Sequence, residues 1–290
     1  MEKLIYLDNN ATTQVDEKVL EAMLPYLQNE YANPSSMYDF AKKSSNALKT
    51  ARKQVQEFVG AANEKEIIFT SCGSESANTA IKGVLANNKT KRHIITTAVE
   101  HPCVLNLYRE YEKQGYKVDY IGVNANGELN IQELQDKITD ETALVSVMWA
   151  NNETGIIFPV EKIAEMVKEK NSQTVFYVDA VQAAGKIPMD VKNTKIDMIG
   201  ISGHKFHAPK GIGALYVKSG TIISPLINGG HQERGRRAGT ENVPYIVGLG
   251  KAAELAQASL PYESTEVKRL RDKLEQGIVK KIFKTNNYTL

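Results

Sequence analysis

The chain has 290 residues, of which 42% are hydrophobic and 24% are charged. These fractions are typical of a globular protein and exclude a disordered chain, a collagen-like repeat and a disulfide scaffold. The 36 Lys and Arg residues against 34 Asp and Glu residues leave a formal charge of +2. The sequence therefore predicts neither nucleic acid nor an anionic membrane as a partner.

The beginning of the chain lacks the apolar run of a secretory signal, and no segment approaches the ~18 consecutive apolar residues of a membrane span. The sequence contains two cysteines, Cys72 and Cys103, whose spacing is neither that of a zinc site nor that of a disulfide framework. We therefore expect a cytoplasmic protein with no membrane segment and no metal site.

Helical and strand patterns alternate along the chain. Helices are predicted over residues 17–28 and 40–59, and further helices over 75–85, 102–114 and 160–170. The predicted strands are residues 66–70, 93–97, 117–123, 142–149, 174–178, 196–201 and 212–217. Strands separated by helices of this length indicate an α/β fold with a mostly parallel sheet.

Beyond residue 250 the pattern is helical. Hydrophobic residues recur at spacings of three and four, which places them on one face of a helix: Val267, Leu270, Leu274, Ile278 and Ile282. Such a face needs a packing partner, yet the sequence ends at residue 290. We therefore expect an architecture that is cut short after this helix.

Polar residues follow five of the predicted strands. Ligands bind at the carboxyl ends of the strands in open parallel sheets, so these residues are expected to converge on one site. In chain order they are Ser71-Cys72-Gly73-Ser74, Glu100-His101, Asn151-Asn152-Glu153, Asp179 with Gln182, and Ser202-Gly203-His204-Lys205.

The turn at residues 71–74 is a candidate anion site. A glycine-containing turn between a strand and a helix presents free N–H groups and the positive end of the helix dipole, which suits a phosphate. The turn matches neither the nucleotide P-loop nor the dinucleotide fingerprint. Ordinary N-capping by Ser71 or Ser74 is the alternative interpretation.

Lys205 and Asp179 follow two neighbouring strands. A partly buried lysine can form a Schiff base with a carbonyl cofactor. A carboxylate at the next strand end can pair with the protonated ring nitrogen of pyridoxal phosphate. His101 could stack on such a ring or move protons near neutral pH. A surface lysine, an N-capping aspartate and a structural histidine are the alternatives.

Together these residues resemble the pyridoxal-phosphate-dependent cysteine desulfurases of the nitrogen-fixation and housekeeping iron–sulfur type. The matching segments span nearly the whole chain in the family's order: YLDNNATT (6–13), NPSS (33–36), TSCGSESAN (70–78), EHP (100–102), NNETG (151–155), VDAVQ (178–182), SGHK (202–205) and GGHQERGRRAGTENV (229–243).

The resemblance implies the pyridoxal-phosphate fold type I, with a large domain whose mostly parallel sheet lies between helices and an incomplete small domain. It assigns residues 1–15 to a segment associated with the small domain. It assigns residues 16–258 to the large cofactor-binding domain, and residues 259–290 to the start of the small domain.

The resemblance also implies a role for each matching residue. Lys205 would hold the cofactor and move the substrate's α-proton, Asp179 would pair with the ring nitrogen, and Gln182 would hydrogen-bond the phenolate oxygen. His101 would stack on the ring, and Asn152 would lie beside cofactor and substrate. The phosphate would be held by Gly73, Ser74, Ser202 and His204. Ser74 stands where the family usually has a threonine, so the hydroxyl is retained.

The implied activity is removal of sulfur from L-cysteine, which yields L-alanine and persulfide sulfur for an iron–sulfur scaffold protein. The enzyme would be a homodimer in which Thr240 reaches the partner's phosphate site. The family's small domain supplies a mobile loop with the catalytic cysteine and an arginine for the substrate carboxylate. Neither Cys72 nor Cys103 lies in such a loop, so we expect a cofactor site without a sulfur acceptor, in a fragment or a natural variant.

Two alternatives stay open at this point. One is another fold-type-I pyridoxal phosphate enzyme, such as a lyase or an aminotransferase, which needs no cysteine nucleophile. The other is a catalytically silent scaffold that only binds an iron–sulfur assembly partner.

Overall fold

The computed structural model describes residues 5–88 and 90–283, with side chains described as far as residue 281. In this part of the chain seven strands form one sheet: β1 (Ile67–Thr70), β2 (His93–Thr97), β3 (Lys117–Ile121), β4 (Thr142–Ser146), β5 (Val175–Asp179), β6 (Met198–Ser202) and β7 (Gly213–Val217). Their order in the sheet is β1-β7-β6-β5-β4-β2-β3.

Strands β2 to β6 pair in parallel, whereas β7 is antiparallel to both β6 and β1. The mostly parallel α/β architecture expected from the alternating pattern is therefore confirmed. The carboxyl ends of β2, β4, β5 and β6 meet at one edge of the sheet because these strands run in the same direction.

The helices are α1 (Glu17–Gln28), α2 (Ala41–Val59), α3 (Gly73–Asn87), α4 (Pro102–Lys113), α5 (Ile131–Lys137), α6 (Val160–Lys170), α7 (Val243–Tyr262) and α8 (Lys268–Ile278). Helix α5 has no counterpart among the predicted elements. Seven residues make about two turns, too few for a helical period to stand out in the sequence.

Helices cover both faces of the sheet. On one face Ile68 packs with α3 and α4. On the other, Ile67 and Phe69 belong to the larger core that also contains residues of α2, α6 and α7. Both faces are buried in every strand except the edge strand β3, whose residues are partly exposed up to Ile121. This burial explains why most of the strands read as apolar runs in the sequence.

The chain stays helical from α7 to residue 283, with π-helical turns at Glu263–Val267 and Val279–Phe283. The predicted apolar face is present on α8, but Leu270 is 45% exposed and Leu274 is 56% exposed. The side chain of Ile282 lies outside the described residues. The predicted domain boundary after residue 258 falls inside α7 and stays a prediction. None of the described helices has the length and apolar character needed to cross a membrane.

Candidate active site

The carboxyl ends of the parallel strands border a cavity of about 750 Å³. The predicted site residues that line it are Gly73, Ser74, His101, Asn152, Asp179, Gln182, Ser202, His204 and Lys205. Thr240 does not line this cavity. The structure thus brings together residues from five separate strand ends, as expected for ligand sites of parallel sheets.

Lys205 lies in a short 3-10 turn, Gly203–Lys205, directly after β6. The residue is half-buried, and its Nζ donates hydrogen bonds to the backbone carbonyls of Asn10 and Ala11, the latter at 3.1 Å. Burial lowers the pKa of Lys205, and the carboxylates of Asp179 and Asp8 oppose part of that shift. A lysine in this setting is neutral more often than a surface lysine, which is what a nucleophilic or basic amine requires.

The N-terminal segment holds the lysine turn in place. The backbone N–H and the hydroxyl of Thr13 both donate to the carbonyl oxygen of His204, each at 2.9 Å. The Thr12 hydroxyl lies 3.1 Å from Nδ1 of His204. The chemistry of the individual residues predicted no role for Thr12 or Thr13. In the sequence they stand out only as part of the motif YLDNNATT at residues 6–13.

Asp179 is the last residue of β5 and is only 6% exposed. Its Oδ1 accepts the backbone N–H of Val181 at 3.0 Å. Burial raises the pKa of Asp179, while that hydrogen bond and the nearby His101 and Lys205 lower it in part. A buried carboxylate of this kind is stabilised by a cation placed against it.

The turn before α3 has the features of an anion site. Cys72, not Ser71 or Ser74, caps this helix, with its Sγ accepting the N–H of Glu75 at 3.4 Å. The N–H groups of the first turn have no acceptor within the helix, and the positive end of the dipole lies behind them. A Cβ on Gly73 would lie 2.8 Å from Val181 Cγ2 and 3.4 Å from Ser202 Cβ, so the close approach of this backbone requires glycine.

Three further predicted residues line the same cavity. His101 caps α4 and is exposed, with Nδ1 accepting the N–H of Cys103 at 3.2 Å. Gln182 Nε2 donates to the carbonyl of Asn10 at 3.1 Å. Asn152 Nδ2 donates to Glu153 Oε1, also at 3.1 Å. These polar groups surround the space between Lys205 and Asp179.

Both cysteines border the cavity. This was expected of Cys72, which belongs to the turn at residues 71–74, but not of Cys103. Cys72 is fixed as the cap of α3, and Cys103 lies in the first turn of α4. Burial raises the pKa of Cys103 to about 12, and the nearby carboxylate of Asp179 adds to that shift. Because the thiolate is the nucleophilic form, Cys103 is a poor sulfur acceptor.

Thr240 is exposed and lies at the end of a loop over residues 229–240, here called the arginine-rich loop because it contains Arg234, Arg236 and Arg237. This loop is tied to the anion turn: Arg237 Nε lies 2.8 Å from Glu75 Oε1, and Glu75 Oε2 accepts the N–H of Ser71 at 2.7 Å. The link connects the loop to the turn at residues 71–74.

Within residues 5–88 and 90–283, no group of three His, Cys, Asp or Glu side chains could hold a metal ion.

The residues present fit pyridoxal phosphate on three observations. The buried carboxyl of Asp179 suits a protonated ring nitrogen, the anion turn with its closely packed Gly73 suits a phosphate, and the amine of Lys205 suits an aldehyde. Together with the sheet topology, this arrangement defines a pyridoxal-phosphate-binding protein of fold type I.

Comparison with known proteins agrees with this class. Residues 5–290 match the family model described as aminotransferase class-V. The cysteine desulfurase of Trichormus azollae is 57% identical over 279 residues, which make up 96% of this chain and 69% of that protein. The chain belongs to the class-V aminotransferase family and, within it, to the cysteine desulfurases.

Two solved structures share this fold and are more than 40% identical to this chain in sequence. One, described as a NifS-like protein, has a TM-score of 0.93 and 43% identity, over 96% of this chain and 76% of its own. The other, SspA in complex with cysteine, has a TM-score of 0.83 and 41% identity, over 87% of this chain and 72% of its own.

Proposed function

We propose that this protein binds pyridoxal phosphate through Lys205 and acts on L-cysteine as a cysteine desulfurase. The observation that carries the proposal is the position of Lys205 and Asp179 at the ends of the adjacent strands β6 and β5, beside one cavity. The similarity to SspA, whose structure is described as a complex with cysteine, supports this substrate.

When bound, pyridoxal phosphate supplies an electron sink for the bonding electrons of the substrate's α-carbon. Lys205 is the base that takes the α-proton, since burial lowers its pKa and favours the neutral amine. Asp179 keeps the ring nitrogen cationic, because a buried carboxylate strongly favours a positive partner. The N–H groups at the start of α3 bind the phosphate, together with the hydroxyls of Ser74 and Ser202.

The remaining assignments are proposals that rest on position and on the family resemblance. His101 would stack on the cofactor ring, Gln182 would donate to its phenolate oxygen, and Asn152 would face the substrate. His204 would help to hold the phosphate. Thr240 would reach the phosphate site of a second copy, which requires a homodimer. An iron–sulfur scaffold protein as sulfur acceptor and a cytoplasmic location belong to the same proposal.

The sulfur step needs a thiol besides that of the substrate. L-Cysteine and a protein thiol give L-alanine and a protein persulfide. The bond between Cβ and sulfur breaks and a sulfur–sulfur bond forms; of the two thiol hydrogens, one ends on Cβ of alanine and the other stays on the persulfide. Such a thiol must lie roughly 3–3.5 Å from the substrate sulfur in its thiolate form. Cys72 is held as a helix cap and Cys103 as a protonated thiol, so neither is expected to accept the sulfur.

The covalent site can be tested by reducing the cofactor-loaded protein with borohydride and mapping the labelled peptide. We expect the label on Lys205 and its loss in Lys205→Ala, while Lys210→Ala, in an exposed position of the same loop, keeps it. Label on another lysine would refute the assignment. A protein that binds no chromophore would instead favour the silent scaffold.

The reaction can be tested in two stages with this chain. We expect exchange of the α-proton of L-cysteine against deuterium, with almost no alanine in a single turnover. Loss of a positioned nucleophile reduces turnover by on the order of a millionfold in another enzyme class. Alanine production that disappears in Cys72→Ser or Cys103→Ser would identify an acceptor in this cavity. Faster exchange with a different amino acid would favour another fold-type-I enzyme.

A further inference from the structure

Glu100 is a buried carboxyl at the edge of the cofactor site that the proposed mechanism does not use. It lies between β2 and α4, directly before His101, and is only 4% exposed. The sequence places it at a strand end without indicating a role. Its surroundings make it unusual among the buried carboxyls of this protein.

The two oxygens of Glu100 are in different environments. Oε1 accepts two hydrogen bonds, from the backbone N–H of Met148 at 2.6 Å and from the Thr97 hydroxyl at 2.9 Å. Oε2 is fully buried, and none of the described residues donates to it. A carboxylate shares its negative charge between both oxygens, so a fully buried oxygen without a donor makes the charged form costly, whereas a carboxylic acid is neutral. For a carboxyl this deeply buried, the pattern favours the neutral acid.

The charges around Glu100 favour the same state. Burial raises the pKa of Glu100 to about 8, and the neighbouring carboxyl of Asp179 contributes to the shift. The other titratable groups that face Glu100 are Cys103 and Tyr108 on α4 and Tyr177 on β5. None of these groups is a cation, so nothing in this set compensates a negative charge on Glu100.

Backbone contacts connect Glu100 to the cofactor site. Met148 lines the cavity, and its backbone N–H donates to Glu100. The next residue, Trp149, donates its N–H to the carbonyl oxygen of Asp179 at 2.9 Å. Glu100 therefore fixes the chain segment that lies directly against Asp179.

We propose that Glu100 is a positioning residue of the cofactor site: as a neutral acid it joins the ends of β2 and β4 and leaves Asp179 as the one charged carboxylate of this buried pair. The inference rests on the proposed function, because it assigns Asp179 to the cofactor's ring nitrogen. Ionisation of Glu100 at higher pH would place a second negative charge beside Asp179. That charge would change how tightly the ring nitrogen holds its proton, and hence the absorbance of the bound cofactor.

The protonation state can be measured before any cofactor is added. At about pH 6.5, infrared spectra of the 290-residue chain should contain a protonated-carboxyl band that Glu100→Gln lacks. The unsubstituted protein should lose this band at about pH 9.5, because the two pH values lie on either side of the pKa of Glu100. Identical carboxyl bands in the two proteins at the lower pH would overturn the proposal.

The effect on the site is measured by titrating the absorbance of bound pyridoxal phosphate with pH. We expect a component near pH 8 that is lost in Glu100→Gln and kept in Glu66→Gln. Glu66 is the matched control, because it is equally buried but has donors at both oxygens, Ser219 on one and the N–H of Asn63 on the other. A component of equal size in Glu100→Gln would refute the proposal.

Cofactor affinity separates positioning from charge. Glu100→Gln retains an acceptor for the N–H of Met148 and should bind pyridoxal phosphate within about threefold of the unsubstituted protein. Glu100→Leu removes that acceptor and should bind about tenfold more weakly. Equal weakening in both variants would contradict a neutral Glu100. If no variant binds the cofactor, the proposed function fails, and the infrared comparison still decides the state of Glu100.

Discussion

Two buried regions of this protein each contain glutamate or aspartate, but they satisfy the carboxyl groups in different ways. In the arginine-rich loop, Glu233 is 6% exposed and forms a bidentate pair with Arg52, with both N–O distances at 2.7 Å. It also accepts the N–H of Phe69 at 3.2 Å. At the edge of the sheet that borders the cofactor site, Asp179 accepts one hydrogen bond from a backbone N–H. Glu100 has one buried oxygen to which none of the described residues donates a hydrogen bond.

The difference separates a structural carboxylate from carboxyls available for chemistry. A fully paired buried ion pair fixes geometry, and removing one partner leaves the other uncompensated. An incompletely paired carboxyl instead shifts its pKa upward, as both Asp179 and Glu100 do. Perturbed carboxyls beside a cavity are therefore better indicators of the site than buried carboxyls as such.

The largest expected effect is on the paired region. Glu233→Ala leaves the guanidinium of Arg52, 9% exposed, without its partner, and should lower the free energy of unfolding by about 3–5 kcal/mol. Urea denaturation of the cofactor-free protein measures this. The control is Asp39→Ala, which removes an exposed pair with Lys42 and should change stability by less than about 1 kcal/mol. Similar losses in the two variants would remove the distinction between the regions.

At the cofactor edge the expected effect is on chemistry. Asp179→Asn should reduce α-proton exchange by on the order of 10²–10³-fold, because an amide cannot keep the ring nitrogen cationic. The Asn oxygen can still accept the N–H of Val181, so stability should change by less than about 1 kcal/mol.

The matched control for Asp179→Asn is Asp197→Asn. Asp197 accepts the N–H of Phe176 at 2.7 Å and pairs with Lys168 at 2.6 Å, away from the cavity. This variant should show the opposite pattern, with reduced stability and normal exchange per loaded site. Loss of exchange in both variants would mean that exchange reports folding and not the ring nitrogen.

The smallest expected effect is the pH dependence of stability at Glu100. The folded protein binds this proton more tightly than the unfolded chain, so stability is greatest below the ordinary pKa of 4.5 and decreases as pH rises to about 8. Glu100→Gln lacks this dependence and should be more stable at pH 7 by roughly 3 kcal/mol. Thermal or urea unfolding at a series of pH values measures the difference, and parallel curves for the two proteins would contradict the shift.

The sequence by itself determined the strands, most helices and the edge of the sheet that carries the site. Apolar runs and helical periods are local features of the sequence. Because parallel strands have their carboxyl ends at the same edge of a sheet, residues that follow different strands can be assigned to one site. That is why Asp179 and Lys205, from different segments, could be assigned to one cavity. The same reasoning missed the short helix α5, whose two turns give no visible period.

Only the tertiary structure decided which groups have partners. The carbonyls of Asn10 and Ala11 meet the amine of Lys205, and Arg52 meets Glu233, across separations of more than 180 residues that no local pattern records. Likewise, the exposure of Leu274 on α8 and the unpaired oxygen of Glu100 depend on what packs nearby. Hydrogen bonds and burial are set by such long-range packing, so the pKa shifts that distinguish the site follow from the fold and not from residue type.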